Sequence, residues 1–535
     1  MKLPVFIAIA ALVMPLWAGA QDITTEVVVE RTIVPVERAA TRPAALVPVL
    51  QMPQVSPAEL STAGYSLLSP ITRSFTRLQP VQGVALPSES PYRGYISAGY
   101  FPTYNLGIAA GYRAISSERE VLNLHVAFNG LSYKDFKGAE RDNSYNGATL
   151  GADYCRLVGD HSRFDASLDY TFATSATWLR DAQMRNAGRM LAAWTSAGGS
   201  LDYSAYARVA VDALGHFDFD ALDMPEGTFG QQRYTLGGDV ALPLGGGSNA
   251  GVAAEGDFLH TAPFAADKST LGIINLRPFF NILTGSINAR IGLNVDFYTG
   301  GGSSVHISPA VDLAWTPAGI LTIDVAAKGG SDFNTAADAL AFSPMVAVTQ
   351  AYGRSTTPVD LSAAIVVGPA SGFSARLYGG YAKVDGLLVP GIRNTLGQLA
   401  TADVKGWQGG LRLAYSHKAF DLSIDAATAS SDAPAGHYYY AWRDCARSVI
   451  KAEGAVRPVK GLQLGVSYEF RGHRQNVAGE SLGCASELSA RADYRISDAI
   501  DVFADVENIL GRRYTLVPGI TSQPVHGLVG LTFKF

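Results

Sequence analysis

Charge, cysteine and long apolar runs are all scarce in this chain. Charged residues make up 17% of 535, well under the roughly 25% of ordinary soluble domains. The 42 basic and 47 acidic residues leave a net charge of −5, which is no footprint for nucleic acid. Three cysteines, Cys155, Cys445 and Cys484, are too few for a disulfide scaffold and have no metal-ligand spacing. Cys445 and Cys484 both fall at junctions of loop and strand on one side of the expected fold. A loop-pinning disulfide between them is open in an oxidising compartment. Cys155 reads as a small apolar strand residue.

Catalytic signatures are missing too. The nine histidines, His125, His161, His216, His260, His306, His417, His437, His473 and His526, are scattered singly. There is no G-x-S-x-G elbow and no H-E-x-x-H pair. The glycines of 245–247 lack the strand–helix setting of a phosphate loop. The reading is a protein that is not an enzyme, with no catalytic residues, no cofactor and no metal site. After residue 20, no window approaches about 18 consecutive apolar residues, so no transmembrane helix is expected.

Alternation is what the chain has instead. In Ile287–Phe297, Ile287, Ala289, Ile291, Leu293, Val295 and Phe297 fall on one face of a strand, and Asn288, Arg290, Gly292, Asn294 and Asp296 on the other. Strand side chains point alternately to opposite faces. The last residues repeat the pattern: Val529, Leu531, Phe533 and Phe535 share an apolar face suited to membrane assembly of a closing strand. From residue 91 such runs recur, joined alternately by tight turns and longer polar loops. Gly, Pro, Asn, Asp and Ser cluster in most of the turns. Tight turns are read at 244–249, 284–286, 317–319, 370–372, 416–418, 457–461 and 497–499. Long loops are read at 219–230, 333–357, 386–402, 432–444 and 510–525, among others.

The fold class is therefore all-β: a transmembrane antiparallel β-barrel of about 22 strands, or about 20 without the weakest runs, 92–115 and 187–218. Short turns face the periplasm and long loops the exterior. The 24 Tyr and 23 Phe suit strands and interfacial girdles. Tyr438-Tyr439-Tyr440-Ala441-Trp442 belongs to such a girdle or, second, stacks on a ligand such as a sugar.

The N-terminal region reads differently. Lys2, an apolar stretch from Leu3 to Trp17, and Ala18-Gly19-Ala20 form a signal peptide, residues 1–20, cleaved after Ala20. Export and alternation together place the mature chain in the outer membrane, with lipid as a partner. Residues 21–90 carry Pro35, Pro43, Pro48, Pro53, Pro57, Pro70, Pro80 and Pro87. Proline at that density favours extended chain over a folded domain. This extension is expected to occupy the lumen or bind a periplasmic or outer-membrane protein.

Three stretches carry a resemblance to the barrel of the TonB-dependent receptors. Asp501–Tyr514 is similar to the family's penultimate strand and its Asn-Leu-(Phe)-Asp-x-x-Tyr segment, with Gly511 where the family often has Asp. Pro518-Gly519 precedes the closing strand. Ala402–Leu411 is similar to a segment that leads into an inward-running strand. The likeness covers residues 91–535 and implies a transport-related or complex-forming barrel. The family's N-terminal plug domain, of roughly 100 residues, is not accommodated by residues 21–90. Thr25, Glu26, Val27, Val28 and Val29 resemble a TonB box, which pairs with a partner's sheet edge; a generic apolar extension reads the same way. The alternative function is a non-transporting accessory barrel that scaffolds an envelope complex.

Overall fold

A computed structural model describes residues 92–535 except 103, 135–141, 159–161, 180–187, 207–211, 225–228, 246–247, 264–266, 301–303, 343–347, 349–350, 391–398, 433–445, 475–482 and 518–519. The signal peptide, the proline-rich extension with its Thr25–Val29 segment, Cys445 and the aromatic cluster at 438–442 lie outside the described residues.

The strands run β1 Gly94–Phe101, β2 Asn105–Ser116, β3 Glu120–Lys134, β4 Asp142–Val158, β5 Ser162–Leu179 and β6 Gly188–Tyr206. Next come β7 Asp212–Asp223, β8 Phe229–Gly245, β9 Ser248–Pro263, β10 Ser269–Leu283, β11 Ile287–Thr299 and β12 Val305–Ala318. β13 Leu321–Phe333 precedes a short helix, α1 Ala336–Phe342. After it lie β14 Arg354–Ala370, β15 Phe373–Pro390, β16 Leu399–Ser416, β17 Phe420–Asp432 and β18 Ser448–Val459. β19 Leu462–Gly472, β20 Ala485–Ser497 and β21 Ile500–Glu507 lead to a small hairpin, β22 Thr515–Val517 and β23 Ile520–Thr521, and then to β24 His526–Lys534.

β1 to β21 and β24 form one antiparallel sheet of 22 strands, each paired with its chain neighbour. The sheet closes on itself through β1 and β24, from Tyr95 opposite Lys534 to Tyr100 opposite Val529. Closure leaves no sheet edge, which a spanning sheet requires because hydrocarbon cannot satisfy free N–H and C=O groups. The terminal residue finishes the seam. Phe535 accepts hydrogen bonds on its carbonyl from the Arg93 and Gly94 amides at 2.7 and 2.8 Å. Its ring stacks on Tyr112 of β2.

The expected alternation sets the two faces. Leu531 is 52% exposed on the outside while its neighbour Thr532 is 4% exposed on the lumen side. Val529, Phe533 and Phe535 share the outer face with Leu531, and Leu150, Leu168, Leu236, Ile307 and Leu377 are exposed on other strands. In water such a belt costs roughly 25 cal/mol per Å²; against lipid tails that cost vanishes. Among the described residues no helix is long and apolar enough to cross a membrane.

The end holding the start of β1 and the finish of β24 is called the inner end. Turns there are short, as at 284–286, 371–372, 417–419, 460–461 and 498–499. At the outer end the longest connections are 334–353, 433–447, 473–484 and 508–525. Several strands reach 17 to 19 residues, longer than the 9–11 that cross a bilayer, so the wall continues beyond the hydrocarbon.

Boundaries differ from expectation, most of all within the weak stretch 187–218. It reads as two runs, 187–197 and 202–218, but β6 passes straight through the break between them at Gly198-Gly199-Ser200. These glycines make room rather than a bend. A Cβ on Gly199 would come within 2.6 Å of the Phe219 ring on β7, and one on Gly198 within 2.7 Å of the Asp220 carboxylate. Glycine in a strand marks close approach as readily as a turn. The loop expected at 219–230 is correspondingly shorter, because β7 continues to Asp223.

Candidate functional site: the outer mouth of the lumen

The β13–β14 hairpin leaves the wall at its outer end. β12 pairs with β13 only from Ala310 opposite Lys328 down to Ala318 opposite Leu321. Beyond Lys328, β13 stays paired with β14, from Gly330 opposite Thr357 to Phe333 opposite Arg354. A register shift between Lys328 and Gly330 marks the departure point. Gly330 has φ +141°, and a Cβ on Gly329 would meet Ser308 at 2.5 Å and the Thr357 carbonyl at 2.6 Å. Bulges of this kind bend a strand and re-aim the chain beyond them.

Beyond the bulge the hairpin becomes a strap that turns into the lumen. Its root is tied to β11, two strands away: Tyr298 Oη and Ser331 Oγ lie 2.6 Å apart, and the Arg354 guanidinium sits 3.7 Å from the Tyr298 ring centroid. Its tip meets β8. Arg233 on β8 donates to Asp332 at 2.6 Å and, also at 2.6 Å, to Asp257 of β9. Gln231 Oε1 accepts the Ala336 amide at 2.6 Å, and Gln231 Nε2 donates to Thr261 at 3.1 Å. Five strand steps separate β13 from β8, so these bonds cross part of the lumen.

Local sequence explains the strap's shape. Thr335 and Asp338 form a reciprocal cap at the start of α1: the Thr335 amide donates to Asp338 Oδ2 at 2.8 Å and the Asp338 amide donates to Thr335 Oγ1 at 3.1 Å. This is the capping box with Asp in the acidic position. Asn334 Nδ2 donates to the Gly386 carbonyl on β15 at 2.8 Å. Ala336, Ala339 and Leu340 of α1, with Val348 and Tyr352, belong to one buried cluster with wall residues such as Leu131, Tyr145, Trp194 and Phe229. Burial pushes the Tyr352 hydroxyl up to about 12. This part of the mouth is apolar and buried.

Four of the scattered histidines turn out to face carboxylates across strands. His125 Nε2 lies 3.0 Å from Asp169. His216 faces Glu255 at 3.6 Å, His306 faces Asp296 at 3.7 Å, and buried His526 faces buried Glu507 at 2.7 Å. Sequence spacing could not reveal these pairs, because the partners sit on adjacent strands or one strand apart. Among the described residues no three His, Cys, Asp or Glu side chains gather into a metal-binding group. Cys155 and Cys484 are free thiols, with Cys484 exposed at the start of β20.

The segment after β21 has a structural task. Asn508, at φ +49°, donates through Nδ2 to the Arg512 and Gln523 carbonyls, both at 2.8 Å. Gly511 has φ +60°, a conformation that favours glycine. Tyr514 Oη donates to Glu487 at 2.8 Å, and burial with that carboxylate beside it pushes the phenol well above its ordinary value. The motif thus folds the last outer loop onto β20.

No protein-family model matches the sequence, and no curated protein matches it. Solved structures do. The FrpB iron transporter from Neisseria meningitidis (F5-1 variant, apoprotein form) aligns with a TM-score of 0.64 at 10% identity, covering 84% of this chain and 82% of that one. The ferric enterobactin receptor PfeA from Pseudomonas aeruginosa, in complex with BCV-L6, aligns with a TM-score of 0.59 at 11% identity, covering 83% of this chain and 81% of that one. At such identities the likeness is one of fold. The resemblance to TonB-dependent receptor barrels holds at the level of the 22-strand ring.

Proposed function

We propose that this chain is an outer-membrane barrel that admits a solute through a lumen narrowed at its outer mouth by its own β13–β14 strap. The carrying observation is the strap anchored on β8 by the Arg233–Asp332 ion pair and the Gln231–Ala336 hydrogen bond. A ring of this size encloses a wide space, and something must limit passage through it. The fold neighbours are a transporter and a receptor, which supports a transport role over catalysis. Outer-membrane residence follows from the apolar belt and the export signal read at residues 1–20.

Residues 21–90 serve either as a second stopper or as a contact for a periplasmic protein, with Thr25–Val29 as the segment best suited to strand addition. Their proline content supports the second, scaffolding reading.

Conductance in planar bilayers tests the proposal. The intact mature protein should pass small currents, and replacing residues 331–355 by a short turn should raise them several-fold. Equal currents from both proteins would sink the strap's role. Removing residues 21–90 then separates the readings: a further rise in current supports a stopper, and loss of a co-purifying complex with unchanged current supports a scaffold.

A further inference from the structure

Beneath the root of the strap, the lumen faces of β10, β11 and β12 bring together buried polar atoms, most of them acceptors, that lack partners. Asn275, Asp296 and His306 occupy one row, each opposite the next across the register. Asn294 and Ser308, also opposite one another, lie two residues along on the same face. Asp296 is fully buried and Ser308 is 2% exposed. Five of their polar atoms are buried and lack a hydrogen-bond partner: Asn275 Oδ1, Asn294 Oδ1, Asp296 Oδ2, His306 Nδ1 and Ser308 Oγ.

The amide orientations are fixed by what the nitrogens do. Asn275 Nδ2 donates to Asp296 Oδ1, and Asn294 Nδ2 donates to the Gly329 carbonyl in the strap's bulge at 2.5 Å. Both amides therefore present oxygen as the unused end. The result is three oxygens that can only accept, one hydroxyl and one imidazole nitrogen that accepts when its proton is on Nε2. Burying such atoms unsatisfied forfeits their hydration with nothing in return. Arg277, two residues from Asn275 on β10, pairs with Glu255 through its Nη2, while its Nε is buried without a partner.

We propose that this nest is a binding site for a divalent cation that favours oxygen, with Asp296 and His306 as principal ligands and Asn275, Asn294 and Ser308 completing the shell. The 3.7 Å between Asp296 Oδ2 and His306 Nδ1 is near the separation of two ligands on one ion, which is about 3–4 Å for bond lengths of 2.1–2.6 Å. Carboxylate, amide and hydroxyl oxygens suit Mn²⁺, Mg²⁺ or Ca²⁺, and one imidazole is compatible with Mn²⁺. A single carboxylate makes the site weak, with a Kd of about 10⁻⁴–10⁻³ M. The ion would tie β10–β12 to the strap through Asn294 and Gly329. The sequence hid the site because its ligands are spread from Asn275 to Ser308 over three strands, and only one of them is acidic. It goes beyond the transport reading and does not depend on it.

The test uses the full mature protein in detergent, stripped with a chelator and titrated with Mn²⁺, reading bound metal by electron paramagnetic resonance. One Mn²⁺ per chain is expected, displaced by excess Ca²⁺. Asp296→Asn should weaken binding tenfold or more and Ser308→Ala a few-fold. Asp312→Asn, at a lumen carboxylate of β12 that is half exposed, should leave it unchanged. Folding of each variant is checked by its heat-dependent gel mobility. Should Asp296→Asn fail to fold, Ser308→Ala and His306→Gln carry the test. No saturable binding, or binding equal in all these variants, would overturn the site and leave a nest that holds only water.

Discussion

The outer mouth and the inner half of this lumen are built from the same strands and differ in nearly everything else. At the mouth, Arg233 bridges two carboxylates, one of them the 7% exposed Asp257, and apolar residues from the strap pack against apolar residues of the wall. Towards the inner end, charged side chains pair in the open. Arg376 and Asp324 approach at 3.8 Å with both side chains more than a third exposed, and Arg457 pairs with Asp421 beside an inner turn at similar exposure. The alternation decides which side chains face inward. Whether they stay wet depends on the chain that crosses the lumen above them. The same ion pair is therefore worth different amounts at the two levels, since removing one partner of a buried pair strands a charge, whereas an exposed pair loses little.

The largest effect should come from Arg233→Ala. It leaves Asp257 buried without its cation and cuts the tether to Asp332. Destabilisation of about 3–5 kcal/mol is expected, read by urea unfolding in detergent. Arg376→Ala, the matched change at the exposed inner pair with Asp324, should cost about 0–1 kcal/mol. Values within about 1 kcal/mol of each other would erase the distinction between the two levels. Next in size is Gly330→Val. A β-branched residue at φ +141° is strained by about 1–3 kcal/mol, and the cheapest relief is to straighten β13 along β12. Bilayer conductance should rise as the strap swings out, with the ring's own unfolding little changed. A smaller, local effect is expected from Thr335→Ala, which removes the cap of α1 for about 1 kcal/mol. Protease cleavage in 334–353 should quicken while cleavage at the inner turns stays constant; equal acceleration at both ends would mean that the strap is not an independent unit.

Most of the ring was legible because period-two alternation is local. Ile287–Phe297 announces its two faces without knowing its neighbours, and the seam strand does the same through Val529, Leu531 and Phe533. The strap was not legible as such. Residues 333–357 read as a loop because no sustained period-two alternation runs through them, although Thr335 and Asp338 at capping-box spacing were a readable sign of a helix start. Nothing local says that Asp332 will find Arg233, which is 99 positions away. Gly198-Gly199 misled for the opposite reason: the sequence shows the missing side chains but not the Phe219 ring that needs their space. The histidine–carboxylate pairs and the nest around Asp296 share that limit, since their geometry exists only once strand register is set.

The smallest effect sharpens the comparison through pH. Tyr352 lies in the strap, and its hydroxyl is held up at about 12 by burial, against about 10 when exposed to water. A raised folded-state value means that the buried form resists losing its proton. Below pH 10 the group is protonated whether the strap is docked or released, and its contribution to docking is fully present. Between about pH 10 and 12 the released state ionises first, so docking weakens, and the contribution is lost as pH rises through the folded value. Protease cleavage in 334–353 should therefore accelerate from about pH 10 upward in the native protein. Tyr352→Phe cannot ionise and should flatten that part of the curve. The difference between the two curves is the measurement, because Tyr514, also raised by burial, titrates in both. Superimposable curves would show that Tyr352 is not held in a dry mouth, and the contrast between outer and inner lumen would narrow accordingly.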